Sequence, residues 1–247
     1  MSARSGVLER DERWDGEVLV DGDVVVPAGV TLRLAPGCRV SFAGRPRWSC
    51  AVFRPAPEGY PVETSNRELC DLVVLGRLIG RGTAVEPVVL GADDAPWGGL
   101  VALDRGVLEL SHARLRPSAE HAIQAFDDAR ALLSSCVVER AEVGLWAMGF
   151  SRVEARGCEL RASRCGAQAG EAGRLTLLAT RVEGSPQGCA AQDYSSVEAR
   201  GCVFAGTRDF GLSLRGRAYA RSAGCRQEPA CPTLVEDDAC LREEAPR

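Results

Sequence analysis

The sequence contains no lysine; all 30 of its basic residues are arginine. This excludes a Schiff base, a lysine general base and a phosphate-loop lysine. Histidine is nearly missing too, with only His112 and His121, so a His-rich metal centre is excluded. Aromatic residues make up 5% of the chain. No apolar run approaches the roughly 18 residues of a membrane span. The opening "MSARSGVLERDERWDG" lacks the apolar stretch of about 7–15 residues that marks a signal peptide. Basic residues form no stripe, and the net charge of −4 is concentrated between Leu234 and Glu244. Neither a membrane nor a nucleic acid is an expected partner.

Glycine (27) and cysteine (11) are plentiful. An odd number of cysteines over a large chain differs from the disulfide framework of a small secreted domain. Reduced thiols and a cytoplasmic location are expected. The hexapeptide "VEARGC" occurs at residues 153–158 and again at 197–202, 44 residues on. Midway lies "LTLLATRV" (175–182) with the same in–out pattern, preceded by "ALLSSCVV" (131–138) and "LELSHARL" (108–115). A second series, "AIQAF", "GLWAM", "GAQAG", "GCAAQ" and "GLSLR", advances by 22, 22, 22 and 23 residues. Alternation of period two means β-strand. A superperiod of 22 with three strands and three bends means a coil stacked on its neighbours.

The expected fold is therefore all-β, a single-stranded right-handed parallel β-helix of about nine coils, roughly 40–45 Å long. Residues 1–15 read as an amino-terminal cap, 16–232 as the solenoid and 233–247 as an acidic carboxyl-terminal cap or tail. Gly157 and Gly201 fall at bends, and Cys136, Cys158, Thr180 and Cys202 fall on one inward row with Cys225 at its end. Pro27-Ala28-Gly29 and Pro36-Gly37 read as type II turns. Residues 54–67 read as irregular. Pro232-Thr233 reads as a helix start, with Leu234 and Leu241 on one helical face folded over the last coil.

The segments "VDGDVVVPAGVTLRLAPGCRVSF", "VVLGRLIGRGTAVEPVVL" and "WGGL", followed by the coil repeats, resemble right-handed parallel β-helix proteins of the pectate-lyase-like superfamily over about residues 16–225. That architecture hosts lyases, hydrolases, adhesins and scaffolds. The resemblance implies, for a lyase, clustered calcium-binding carboxylates with a basic proton abstractor. The nearest basic candidates are Arg152, Arg174 and Arg215, and no compact triple-aspartate cluster accompanies them.

Two candidate sites follow from the coil register. On the outward face of the "GLWAM" series, Gln124, Trp146 and Gln168, followed by Gln192 and Tyr194, suggest a ligand-binding surface where a sugar ring stacks on indole between amides. Just after those strands, Asp127, Glu171 and Asp193, with Arg215, form a row that a glycoside hydrolase or polysaccharide lyase could use. The spacing of Cys225, Cys231 and Cys240 lacks the Cys-x-x-Cys pair of a zinc site, and neither metal nor cofactor is expected. The expected function is a non-catalytic module presenting a flat sheet to a partner protein or glycan. Carbohydrate cleavage is the alternative, and assembly through the coil ends is a third possibility.

Overall fold

The computed structural model describes residues 3–43, 69–92, 96–230 and 232–244. The irregular stretch at 54–67, together with Cys50 and Cys231, lies outside the described residues. Every strand pairing is parallel, and among the described residues there is no helix.

Each coil visits three faces. Face two is a ten-stranded sheet running from Glu12–Trp14 through Val107–Ser111, Arg130–Ser134, Arg152–Arg156 and Arg174–Leu178 to Cys240–Glu244. Faces three and one belong to a single 16-stranded sheet, because three long strands cross the corner between them: Glu17–Val26, Val137–Ala147 and Glu159–Ala169. The protein is thus a parallel β-helix of ten coils, one more than its periodicity suggested.

The repeated hexapeptides stack as expected. Val153 pairs with Leu175 and Leu175 with Val197, while Glu154 is followed by Thr176 and then Glu198. The outward charges are therefore separated by a neutral coil, which spares the cost of like charges directly opposite. Gly157 and Gly201 both have φ of 59°, a left-handed conformation that costs glycine nothing. On face one, Ile123, Leu145, Ala167, Cys189 and Leu212 lie in one row and Ala125, Ala147, Ala169, Ala191 and Leu214 in the next.

The core between the faces narrows along the axis. Trp14, Trp97 and Phe42 fill the first coils, with Trp97 stacked on Phe42 at 4.4 Å, whereas alanine and cysteine line the middle. Burial pushes the thiols of Cys38 and Cys165 up to about 11 and that of Cys70 up to about 12, so they stay protonated as small apolar filler.

Three expectations are corrected. Residues 233–243 do not form a helix: Thr233–Val235 pairs with the face-one strand Phe210–Leu214, and Cys240–Glu244 pairs with Tyr219–Ala223. The β-branched Thr233 and Val235 suit a strand, and Glu236-Asp237-Asp238-Ala239 repeats the turn made one coil earlier by Arg215-Gly216-Arg217-Ala218. The amino-terminal segment is likewise coiled, with Ala3–Val7 and Glu12–Trp14 pairing onto the next coil. Pro36-Gly37 occupies the centre of its turn, but Pro27 stands at the first position, with Ala28-Gly29 central.

Glycines that pack tightly should be less replaceable than glycines that only bend. A Cβ on Gly166 would meet Val182 Cγ1 at 2.1 Å, whereas one on Gly157 meets nothing within 4 Å. Gly157→Ala should cost about 1–2 kcal/mol through its backbone conformation. Gly166→Ala carries an overpacking cost of about 1–3 kcal/mol or more and should give the lower urea midpoint of the two.

Candidate functional site: an arginine-floored groove beside the turn row

Between face one and face two the chain makes the same four-residue turn in successive coils. In each, the fourth N–H donates to the first carbonyl, as in Ala129 to Phe126, Ser151 to Met148, Gly173 to Gly170 and Ser195 to Gln192. The second residue sits in the left-handed region: Asp127 (φ 54°), Gly149 (66°), Glu171 (55°), Asp193 (62°), Gly216 (69°) and Asp237 (57°). Aspartate and glycine are residues that tolerate this conformation. The expected carboxylates Asp127, Glu171 and Asp193 do share one row, exposed at the turn tips. For Asp127 and Asp193, backbone geometry already accounts for an aspartate at that position. They also serve their neighbours: the Glu171 N–H donates to an Asp193 carboxylate oxygen at 3.2 Å, and the Gly216 N–H to Asp237 at 3.0 Å. Arg215 does not reach this acidic row; its guanidinium pairs with Glu236 at 2.9 Å on the following coil.

The sheet-face surface differs from the expected platform. Gln124 is 0% and Gln168 8% exposed, and the half-buried Trp146 indole stacks on His121 at 4.5 Å and meets Phe126 edge-on. The outward side of face one is apolar rather than open, because Val25, Val73, Val101, Leu103, Phe126 and Met148 gather there into a second buried cluster. Glutamines on that surface are enclosed with it and cannot offer their amides to a sugar. Gln192 is half-buried, and only Tyr194 of the five expected ligand residues stands clear, at 67% exposure. His121 opens the buried strand His121–Ala125.

One residue beyond the turn tips, the surface opens into a groove of about 730 Å³. Its outer wall carries Arg105, Asp128, Phe150, Ala172 and Tyr194 from successive turns. Its floor carries Val107, Arg130, Arg152, Arg174 and Ser196, the first residues of successive face-two strands and direct partners in register. Five coils at strand spacing give a length of roughly 19 Å. Phe150 is 71% exposed, and Arg217 lies over the Tyr194 ring at 5.7 Å from its centroid.

The floor departs from the charge pattern of the other faces. Elsewhere on the solenoid many arginines meet glutamates, as in Arg116–Glu139, Arg164–Glu142 and Arg221–Glu244, although Arg13 and Arg33 also stack without an ion pair to a described residue. Arg130, Arg152 and Arg174 stand on three consecutive coils, exposed, with no ion pair to any described residue. Four arginines line the groove against the single carboxylate of Asp128. Guanidinium groups in a row can hold carboxylate, sulfate or hydroxyl oxygens in bidentate fashion. The sequence displays these arginines at a spacing of 22, a signal visible once the first strand position of face two is aligned.

Among the described residues no group of three or more His, Cys, Asp or Glu side chains is placed to hold a metal ion. Cys225 and Cys240 lie on different faces, one half-buried against the core and one exposed on the last strand.

Stacked like charges should strain the empty groove. Replacing the central one, Arg152→Gln, should raise the stability of the free protein by about 0.2–1 kcal/mol at low salt. In about 1 M salt, where screening acts within roughly 3 Å, the gain should vanish from chemical denaturation curves.

Compared with known proteins, the chain matches no protein-family model, no curated protein and no solved structure.

Proposed function

We propose that this protein is a non-catalytic binding module that holds an extended acidic glycan in the turn-row groove, with the solenoid as its rigid frame. The observation that carries the reading is the row of Arg130, Arg152 and Arg174, without acid partners among the described residues, facing the exposed rings of Phe150 and Tyr194. Guanidinium groups at one strand spacing suit a chain bearing anionic groups at regular short intervals, and exposed aromatic rings suit the apolar faces of sugars. A groove laid on β-strands is also pre-organised, so little ordering entropy is lost on binding. The alternative of carbohydrate cleavage by Asp127, Glu171, Asp193 and Arg215 draws less support. The turn conformation supplies a reason for Asp127 and Asp193 that needs no reaction, and Arg215 is tied to Glu236.

An array of immobilised oligosaccharides tests this directly. Uronate-bearing or sulfated chains should be retained, neutral chains of equal length should not, and no cleavage products should form. Losing a charge-assisted hydrogen bond is worth about 1.5–3 kcal/mol, so Arg152→Gln should weaken retention about tenfold or more. Phe150→Ala and Tyr194→Ala should weaken it too, while Glu171→Gln should leave it unchanged. Retention of neutral chains alone, or arginine variants that bind like the parent, would remove the proposal. Release of shorter products that stops in Glu171→Gln would establish the enzymatic reading instead.

A further inference from the structure

At the bend between face two and face three, one inward position recurs in successive coils as Cys136, Cys158, Thr180, Cys202 and Cys225. Each side chain turns back to the carbonyl two residues earlier. The Cys136 thiol donates to Ser134 O at 3.4 Å, the Thr180 hydroxyl to Leu178 O at 3.1 Å and the Cys202 thiol to Arg200 O at 3.5 Å. Thr180 thereby divides the row into two cysteine pairs. Within each pair the two side chains lie over one another on adjacent coils, because Val137 pairs with Glu159 and Val203 with Arg226.

The pairs differ in access. Cys136 and Cys158 are both buried, at 1% and 3% exposure. Cys202 is buried completely, but Cys225 is only half-buried, just before Arg226–Glu228, the strand at which this edge of the sheet ends. The second pair therefore has one sulfur at an opening and its neighbour in the core.

We propose that Cys225 is a peroxide-reactive thiol and Cys202 its resolving partner, so that oxidation closes a disulfide between the last two strands of face three. The neighbouring Cys202 lowers the Cys225 thiol despite burial, while the same neighbour and burial raise Cys202. Of the two, Cys225 is therefore the more readily ionised and the more accessible. Adjacent parallel strands hold paired Cα atoms about 4.8 Å apart, inside the roughly 4.4–6.8 Å that disulfides span.

The chemistry closes with hydrogen peroxide as oxidant. The Cys225 thiolate attacks one peroxide oxygen, forming S–O as O–O breaks, and the departing hydroxide takes a proton to become water. Cys202 sulfur then attacks the sulfenic sulfur; S–S forms, S–O breaks, and the Cys202 proton leaves with the hydroxide as a second water. Two thiols lose two electrons in all, and one peroxide becomes two waters.

The test uses the full native chain, one equivalent of hydrogen peroxide, and non-reducing peptide mapping by mass spectrometry. The expected product is a Cys202–Cys225 linkage, with Cys136 and Cys158 still reduced. Because threonine already occupies this row at position 180, Cys202→Thr should fold; it should halt at a sulfenic acid on Cys225 that dimedone traps. In the unoxidised protein, Cys225 should alkylate roughly tenfold or more faster at pH 7 than the Cys136–Cys158 pair. A linkage from Cys225 to Cys231 or Cys240, equal oxidation of the Cys136–Cys158 pair, or no reaction before unfolding would each overturn the proposal. None of these outcomes depends on what the turn-row groove binds.

Discussion

The constraint on which everything else rests is the parallel hydrogen-bond ladder, which places each residue directly over its equivalent in the coil below. Main-chain groups pair at one fixed spacing and in unbroken register across most of face two, from Val107–Ser111 to Cys240–Glu244. Side chains then have no freedom to choose their neighbours; an inward cysteine lies on an inward cysteine, and a turn aspartate lies beside the next turn. A solenoid must therefore solve every local problem by rows rather than by residues.

The rows show three solutions. Where the backbone bends with positive φ, the row uses glycine, aspartate or another residue able to adopt that conformation, as at Asp127, Gly149 and Asp193. At the inward bend position the row uses thiols or a hydroxyl that turn back to a carbonyl already accepting a backbone N–H, which is why Thr180 can stand among cysteines. Where charges face solvent, the chain alternates them, as with Glu154, Thr176 and Glu198, or pairs them across coils, as with Arg164 and Glu142. The groove floor uses neither device for Arg130, Arg152 and Arg174. Arg13 stacked on Arg33 is a shorter instance of the same arrangement; on the groove floor the stack runs over three coils and faces the exposed rings of Phe150 and Tyr194.

Much of this was legible in the sequence because the period is nearly constant. The face-one rows, the glycine bends and the inward cysteines all follow from aligning residues at intervals of 22. The carboxyl end is ambiguous in sequence because Leu234 and Leu241 lie seven apart, which fits two helical turns and equally fits two strands joined by a turn. Only the likeness of Glu236-Asp237-Asp238-Ala239 to the preceding turn separates the cases. Burial of Gln124 and Gln168 could not be read at all, since alternation says which side of a strand a residue takes but not whether that side meets water. The groove had a signal, yet it lay one residue past the carboxylates that drew attention, and its meaning came from missing ion pairs rather than from residues present.

A groove graduated in strand spacings is a ruler. Its marks stand about 4.8 Å apart and cannot be stretched, because the backbone ladder beneath them is common to the whole molecule. A polymer whose repeat differs from that interval by a few tenths of an ångström stays in phase over three marks but drifts by more than an ångström over five or six. Three arginines therefore tolerate a family of related repeats, and each further coil bearing the same residue would narrow the range. On the proposed glycan-binding role, selectivity would be set by how many coils carry the mark, so duplication or loss of one 22-residue unit would retune it without altering any single contact.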